Sequence, residues 1–385
     1  MDIRRRRKTA GHRRRTSAAA VVSVIMPTTS WDGAFVPCAR AVLHLLDTSP
    51  VAAEFIVVHD GRAAKPPEWL RRPDVRVLGT RAVGGPAAAR NKAAAEARGA
   101  ILFFVDADVE VAANALQRVC EALDADDGLV AVFGAYDDAP AADGTVSRFR
   151  NLLHHHTHVT HPGPAGTFWA GCGAVRAAHF HDVGGFDERF ARPSVEDIEL
   201  GMRLRDHGGR IVLDPLLQGK HHKAWTLWSM VRTDVLCRAV PWADLIIRSG
   251  RMPASLNLDW KSRASGLLAV TGIAAAVATP FIGAALFVAV ACVAGVFALN
   301  ADFYLQCRRR GGVAFATAAF VLHVLFFLYS SLTFACVVGH SRLFGPRRPA
   351  PCTPGPASPH DLPPATRSEE HTSELQSRQY LVCRL

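Results

Sequence analysis

The stretch Ile101–Val109 reads ILFFVDADV, an apolar run that ends in two aspartates one residue apart. A strand that is apolar at every position has no face for water, which is typical of the middle of a parallel sheet. Such sheets bind ligands at the carboxyl ends of their strands. Asp106 and Asp108 therefore lie where a ligand is expected, and Mg²⁺ and Mn²⁺ prefer carboxylate oxygens. The motif predicts a divalent-cation site; a solvated turn is the alternative for a pattern this short.

Strand and helix signals alternate around this motif. Strands are predicted at Val21–Met26, Glu54–Val58, Val75–Leu78 and Leu129–Phe133. Helices are predicted between them at Ala34–Leu46, Pro86–Arg98 and Ala112–Leu123. This alternation predicts an α/β fold with a doubly wound, mostly parallel, Rossmann-like sheet. Asp60 directly follows the second of the strands, so we expect it at the same edge as Asp106 and Asp108.

Two further segments carry candidate chemistry. Ser194–Asp206 is predicted to be a helix with Ser194 as its N-cap and with Glu196 and Asp197 near its start. These acids either offset the helix dipole or, beside a metal and a diphosphate, supply a general base for an acceptor hydroxyl. The small residues of Gly84–Asn91 allow a helix start to approach a ligand closely, and Arg90 is either a phosphate partner or a solvated side chain.

A group of histidines lies in the less regular part of the chain, at His154–His156, His158 and His161. Their spacing can bring several rings onto one face of a helix. No cysteine or acidic residue is close by, so a polar acceptor-side or membrane-near segment is favoured over a metal site. His221 and His222, which follow a predicted strand at Ile211–Leu213, are candidates for contact with the metal or the diphosphate, or belong to a basic surface loop.

The apolar residues are concentrated near the C-terminus, in Gly266–Leu299 and Val313–Val338. Both runs are long enough to matter to a bilayer. Thr279-Pro280 favours a hairpin of two short spans in the first run, with a single kinked helix as the alternative. We therefore expect two or three membrane helices within 264–340. An amphipathic region at 224–263, rich in Trp and Arg, is predicted at the membrane interface, with an ordinary surface helix as the alternative.

The ends of the chain differ from the rest in composition. Residues 1–19 form a basic arm, predicted to be disordered. Because apolar segments follow downstream, anionic lipid is favoured over nucleic acid as its partner. The nine scattered cysteines fit a reducing, cytosolic setting. Residues 341–385 are predicted to be a Pro-rich disordered tail. Within it, 367–385 resembles translated sequencing-adapter sequence; genomic reads that carry these codons contiguously would refute that hypothesis.

Together these segments resemble a membrane-anchored, inverting glycosyltransferase of family 2, of bacterial type and with the GT-A fold. The resemblance covers about Val21 to Arg248, and it is carried by the segments VVSVIMPT, FIVVHDG, GGPAAARN, FFVDADV, FWAGCGAVR and SVEDIELGMRLR. Three departures stand out. His59 replaces the first aspartate of the family's usual Asp-Asp-Gly-Ser, Thr29–Asp32 replaces the usual tail of the first turn, and no Q-x-x-R-W motif follows the Glu-Asp helix, which favours transfer of single sugars.

The resemblance assigns roles to individual residues. The donor would be bound by Pro27, Thr28, Asp60, Arg90 and Asp106. Mn²⁺ or Mg²⁺ would be held by Asp108, Asp106 and His221. Asp197 would be the catalytic base with Glu196 beside it, and the acceptor side would be lined by Trp169, Gly171 and Cys172.

The activity expected from these roles is metal-dependent, inverting transfer of a hexose to a hydroxyl acceptor. The donor is a nucleoside-diphosphate sugar, with a UDP-sugar favoured, and the acceptor is lipid-linked or another hydroxyl compound of a cell-envelope glycan. The catalytic domain is expected at 20–223, on the cytoplasmic side of a multi-pass membrane protein. The alternative is a non-catalytic, membrane-anchored nucleotide-sugar binding protein. An NAD-binding enzyme is disfavoured because no G-x-G-x-x-G follows the first strand.

Overall fold

The computed structural model describes residues 22–61, 65–80, 83–252 and 256–345. The basic arm and the tail from residue 346 onward lie outside the described residues, so the predictions for 1–19 and for 367–385 are not addressed by it.

A mixed sheet forms the centre of the molecule. Its strands are β1 (Val22–Thr28), β2 (Ala53–His59), β3 (Val75–Gly79), β4 (Ile101–Val105), β5 (Val109–Val111), β6 (Leu129–Tyr136), β7 (Gly163–Pro164), β8 (Cys172–Arg176) and β9 (Arg210–His221). Their order is β3-β2-β1-β4-β8-β6-β9-β5, with β7 paired to β9. The pairs β2–β3, β1–β2, β1–β4 and β6–β9 are parallel, whereas β8 runs antiparallel between β4 and β6.

Helices cover both faces of this sheet. They are α1 (Phe35–Thr48), α2 (Gly85–Glu96), α3 (Ala115–Asp124), α4 (Thr145–Val159), α5 (Ala177–Asp182) and α6 (Glu196–Asp206). Alternate residues of the central strands point to opposite faces, so Phe103 packs in one core and Phe104 in the other. The predicted α/β sheet with two buried faces is therefore confirmed, and β4 has the predicted bounds.

Several elements differ from the sequence-based prediction. Ser194 is not the N-cap of α6, because the helix begins at Glu196 and the backbone N–H of Ser194 donates instead to Glu196 Oε2 at 2.8 Å. The strand predicted at Ile211–Leu213 continues to His221, which ends β9 rather than following a loop. The histidines at 154–158 lie on α4, a helix that the irregular pattern of this region did not predict.

The C-terminal part is helical throughout. It contains α7 (Leu227–Thr233), a π-helical turn (Asp234–Ala239), α8 (Val240–Ser249), α9 (Trp260–Ala278), α10 (Ala285–Leu299) and α11 (Ala301–Phe344). The helices α9 and α10 form an antiparallel hairpin, in which Asn300 Nδ2 donates to Ser265 Oγ. The predicted break near Thr279-Pro280 is thus confirmed.

The axis of α11 turns sharply at Gly312, whose backbone leaves the helical conformation (φ 77°, ψ −178°). Glycine adopts this positive φ without the steric cost that other residues meet. The two arms of α11 pack against each other there, and Tyr304 Oη lies 3.1 Å from His323 Nδ1. By length and composition, α11 is the one helix among the described residues that is able to cross a membrane; α10 is apolar but shorter.

Candidate active site

One cavity of about 1000 Å³ connects most of the predicted site residues. It opens along the carboxyl ends of β1 and β4 and extends past α6 and α4 to α8 and α11. Nine of the sequence-predicted residues line it, namely Pro27, Thr28, Asp60, Arg90, Asp106, Asp108, Glu196, Asp197 and His221, and Trp169 lines it as well. Fold and sequence thus bring these side chains to one place.

Asp60 organises the start of α2. Its Oδ1 accepts hydrogen bonds from Thr80 Oγ1 at 2.8 Å and from the backbone N–H of Gly84 at 3.0 Å. Its Oδ2 accepts from the N–H of Gly85 at 2.9 Å. A carboxylate at this position satisfies N–H groups that a helix start leaves without partners. The buried Asp60 side chain therefore shapes the pocket wall beside Pro27 and Thr28.

Gly85 explains why small residues occur at this helix start. Its φ of +85° lies in the left-handed region, and a Cβ built on it would be 2.5 Å from the carbonyl oxygen of Ala191. The beginning of α2 therefore packs directly on the backbone of the segment that leads into α6. This contact couples the position of Asp60 to that of the Glu196-Asp197 pair.

Arg90 lines the cavity, but it is not the solvated side chain that was one of the two alternatives for it. Its guanidinium is buried and forms two ion pairs, from Nη1 to Glu196 Oε1 at 3.0 Å and from Nη2 to Asp106 Oδ1 at 2.6 Å. It also lies over the Phe186 ring, 5.3 Å from its centre. Arg90 thus connects one aspartate of the β4 motif to the first acid of α6, which lies 106 residues after Arg90 in the sequence.

Asp197 is held by backbone groups rather than by an ion pair. Its Oδ2 accepts from the N–H of Ala170 at 3.2 Å, and its Oδ1 accepts from the N–H of Ile198 at 2.8 Å. Burial raises the pKa of Asp197 and the neighbouring Glu196 charge adds to this, so that the pKa reaches about 7 although Arg90 acts in the opposite direction. A carboxylate with such a pKa is suited to accept a proton near neutral pH.

Asp108 faces a different partner. Its Oδ2 lies 3.7 Å from His221 Nε2, and both side chains line the cavity. Burial acts to raise the pKa of Asp108, but the His221 ring and the Lys223 charge outweigh it and lower the pKa to about 2. The ring of His221 is stacked on Tyr136, with the ring centres 4.2 Å apart. Asp108 is therefore an ionised carboxylate beside a fixed imidazole.

These groups fit a divalent cation in their chemistry, because an ionised carboxylate and an imidazole are ligands of Mn²⁺. Asp106 shares one of its oxygens with Arg90, and among the described residues no three His, Cys, Asp or Glu side chains are arranged to hold a metal on their own. A cation here would need oxygen ligands from a bound diphosphate or from water to complete its shell. That is the usual situation of Mg²⁺ in phosphate-transfer sites. We call Arg90, Asp106, Asp108, Glu196 and Asp197 the acidic cluster.

The predicted acceptor-side residues differ in whether they face the cavity. Trp169 lines the cavity and contacts Tyr136, His154 and His158. Gly171 acts through its backbone, because its carbonyl accepts from the N–H of Asp106 at 3.1 Å. Cys172 does not line the site. It starts β8 opposite Val105, and its side chain points into the core, so the expectation of a role at the cavity is corrected for this residue.

One face of α4 forms a wall of the cavity that the sequence did not reveal. Arg150, His154 and His158 follow one another at four-residue spacing, which places them on one side of the helix. Burial keeps the pKa of His154 well below its usual value and lowers that of His158 to about 4, so both rings are neutral. The histidine spacing indicated one face of a helix, but the same spacing was not extended back to Arg150.

The far end of the cavity contains a second ionic group. Asp234, at the start of the π-helical turn, is buried and accepts from Arg150 Nη2 at 2.6 Å and from Tyr329 Oη at 2.6 Å. Arg238 Nη1 lies 3.3 Å from the same carboxylate. Single π turns inside helices are frequent at functional sites. We call Arg150, Arg238 and Asp234 the basic cluster, because two guanidinium groups surround one carboxylate.

Part of the chain matches a known protein family, and the chain is similar in fold to two solved structures. Residues 23–184 match the family described as Glycosyl transferase family 2. In three dimensions the chain is similar to the mannosyltransferase PcManGT from Pyrobaculum calidifontis, solved with GDP-Man and Mn²⁺ (15% identity, TM-score 0.48, 84% of this chain and 87% of that chain covered). It is also similar to GalNAc-T7, solved with UDP, GalNAc and Mn²⁺ (15% identity, TM-score 0.43, 60% and 48% covered).

No curated protein matches the chain by sequence. The family match covers β1 to α5 and includes Asp60, Arg90 and the Asp106–Asp108 motif. Residues 23–184 form a glycosyltransferase family 2 domain, and the chain is a glycosyltransferase.

Proposed function

We propose that this chain transfers a single sugar from a nucleoside-diphosphate sugar to a hydroxyl group, with inversion at the anomeric carbon. The observation that supports this best is the shared cavity, which places Asp197 and the Asp108–His221 pair on the walls of one space. A proton acceptor and a candidate cation site therefore face the same bound substrate. A UDP-sugar is the favoured donor.

Asp197 is the proposed base. Its two oxygens are oriented by the N–H groups of Ala170 and Ile198, so the carboxylate keeps its position as an acceptor hydroxyl approaches. The acceptor oxygen attacks the anomeric carbon as its proton passes to Asp197, and the bond from that carbon to the diphosphate breaks. Glu196 is a positioning residue in this proposal, because its carboxylate is occupied by Arg90 and by the N–H of Ser194.

Asp108 and His221, with Asp106 beside them, are the groups that would hold Mn²⁺ or Mg²⁺. Bound there with the donor, the cation would supply Lewis-acid stabilisation of the negative charge on the departing diphosphate. Lys223 is an exposed, positively charged side chain on the cavity wall, and its charge lowers the pKa of Asp108.

We further propose that the acceptor is lipid-linked and that the chain works at the cytoplasmic face of the cell membrane. The cavity continues from Asp197 to the aromatic residues of α11, the helix that is long and apolar enough to cross a bilayer. Large apolar side chains are exposed on α10, with Phe287 77% accessible, so α9 and α10 are proposed to enter the bilayer too. The segment α7–α8 would then lie at the interface.

A donor screen tests this function directly. The purified full chain in neutral detergent is given labelled nucleoside-diphosphate sugars, Mn²⁺ and a membrane lipid extract. We expect one donor to label an organic-soluble product of inverted anomeric configuration, and EDTA to stop the reaction until Mn²⁺ is restored. Absence of transfer from every donor together with unchanged thermal stability in their presence would contradict the proposal, because a ligand of the native state raises its apparent stability.

A further inference from the structure

We infer that the basic cluster is a recognition site for the phosphate of the acceptor, and that the acceptor is an anionic phospholipid-type molecule with a free hydroxyl at its polar end. The inference rests on the proposed function and adds the chemical class of the second substrate. In it, the lipid chain lies against α8 and α11, the phosphate lies at Arg150 and Arg238, and the hydroxyl reaches Asp197.

The charge of the basic cluster supports an anionic ligand. Two guanidinium groups against one carboxylate leave a net charge of +1, and both arginines line the cavity. The side chain of Arg150 is only 11% exposed, and its Nε has no hydrogen-bond partner among the described residues. Guanidinium groups are well suited to phosphate because they offer several N–H donors in a fixed plane.

Asp234 explains why the buried guanidinium of Arg150 is stable without a ligand. It accepts from Arg150, from Arg238 and from the hydroxyl of Tyr329, so the three elements α4, the π-helical turn and α11 meet at one carboxylate. The side chain of Arg238 remains 45% exposed toward the cavity. A phosphate can therefore approach Arg238 while Asp234 keeps its other partners.

The apolar end of the cavity gives the lipid chain a place. Beyond the basic cluster, the wall is formed by Trp242, Ile246, Phe326, Phe327 and Phe334. These residues belong to α8 and to the second arm of α11, which is the segment proposed to enter the bilayer. A ligand that spans this end and the acidic cluster needs an apolar chain, a negative group and a polar group, in that order along its length.

In this proposal the phosphate of the acceptor is bound for recognition, and the hydroxyl is the nucleophile. The acidic cluster carries four carboxylates against one guanidinium, so a phosphate that brings no cation of its own would be repelled there. A hydroxyl is neutral and has a proton that Asp197 can accept. The opposite charges of the two clusters therefore orient an anionic hydroxy-lipid in one direction only.

Photolabelling of the full chain in dodecyl maltoside tests the assignment. The probe is a 12-carbon alkyl phosphate with a diazirine in its chain, and the control probe is the alkyl alcohol of the same length. We expect the phosphate probe to label α8 and α11 at least fivefold more than the alcohol at the same mole fraction. Arg238→Gln should remove at least four fifths of that labelling, whereas Arg232→Gln, on α7 and outside the cavity wall, should keep it.

Two further arms separate the possible outcomes. Inorganic phosphate at millimolar concentration should leave the labelling unchanged, since most of the affinity comes from the chain; full competition would mean a site for free phosphate and would overturn the inference. Equal labelling by both probes, or wild-type labelling of the folded Arg238→Gln variant, would also overturn it. Thermal stabilisation of Arg238→Gln by UDP and Mn²⁺ is measured alongside. If this stabilisation is lost, the substitution has damaged the donor site and not the lipid site.

Discussion

The acidic and basic clusters are both built on a buried arginine paired with carboxylates, but their net charges are opposite. In each, a buried arginine is paired with carboxylates from distant parts of the chain, Arg90 with Asp106 and Glu196, and Arg150 with Asp234. At the acidic cluster the carboxylates exceed the guanidinium groups, which suits a cation and a proton acceptor. At the basic cluster the arginines exceed the carboxylate, which suits an anion. One cavity is thus negative at the donor end and positive toward the proposed membrane helices.

The two clusters also connect different parts of the molecule. The acidic cluster connects α2, β4 and α6, all parts of the sheet domain. The basic cluster connects α4 to the π-helical turn and to α11. The residues that we assign to acceptor recognition therefore also help to hold the C-terminal helices on α4.

The largest effect is expected from Asp197→Asn. Loss of the proposed base should lower the transfer rate by about 10³-fold, within the range for general-base catalysis. Glu199→Gln is the matched control, because Glu199 lies in the same helix turn and pairs with Arg203. Transfer at saturating donor is measured for both variants, and donor affinity should be unchanged in each. A rate for Asp197→Asn within tenfold of the wild type would rule out this base.

Arg90→Met should produce the largest change in stability. It leaves Glu196 and Asp106 close together without the guanidinium between them, and removing one partner of a buried pair costs about 3 kcal/mol or more. The exposed pair of Arg71 with Glu68 is the control, since exposed ion pairs contribute about 1 kcal/mol or less. Thermal unfolding of Arg90→Met and Arg71→Met compares the two. Equal melting temperatures would show that the acidic cluster does not depend on Arg90.

Gly85→Ala is expected to have an intermediate effect. The left-handed backbone costs a non-glycine residue about 1–2 kcal/mol, and the added Cβ would press on the Ala191 carbonyl oxygen. Because that carbonyl precedes α6, the variant should lose transfer activity beyond its loss of stability. Gly208→Ala is the control, with a similar φ of +83° but open space around its Cβ. Equal activity of the two folded variants would remove the proposed coupling between α2 and α6.

The smallest effect is expected from pH. Transfer at limiting donor should rise about tenfold per unit below pH 7 and level off above it, because Asp197 accepts a proton only when ionised and its pKa is about 7. A bound cation lowers this value, so the plateau begins at or below pH 7. The pKa in the folded state lies above the usual aspartate value of 3.8, so ionisation of Asp197 reduces stability as the pH rises from 3.8 to about 7. Asp197→Asn should therefore raise the melting temperature more at pH 8 than at pH 5.

The sequence predicted the sheet edge well, because short-range patterns determine it. The apolar run before Asp106 gave the buried strand β4, and strand ends placed Asp60 near it. Long-range pairing could not be predicted in the same way. Arg90 and Glu196 are far apart in sequence, so nothing local showed that the arginine is occupied by carboxylates instead of a donor phosphate.

The acceptor side was predicted less well for a related reason. In β8, alternate residues face opposite cores, and the antiparallel register with β4 turns Cys172 inward beside the residues that pack under α1. That register depends on β4 and β6, not on the sequence around Cys172. The wall formed by α4 also escaped prediction, since its mixed polar composition shows no clear apolar period, although one side packs on α11.

The acidic cluster is proposed to hold a cation together with a nucleoside diphosphate, and a Mn²⁺ binding measurement tests this. Electron paramagnetic resonance of the full chain reports bound Mn²⁺ with and without UDP. We predict binding that UDP strengthens, at least tenfold weaker in Asp108→Asn, and unchanged in Glu110→Gln, whose carboxylate pairs with His222. Equal Mn²⁺ affinity of wild type and Asp108→Asn in the presence of UDP would contradict the account.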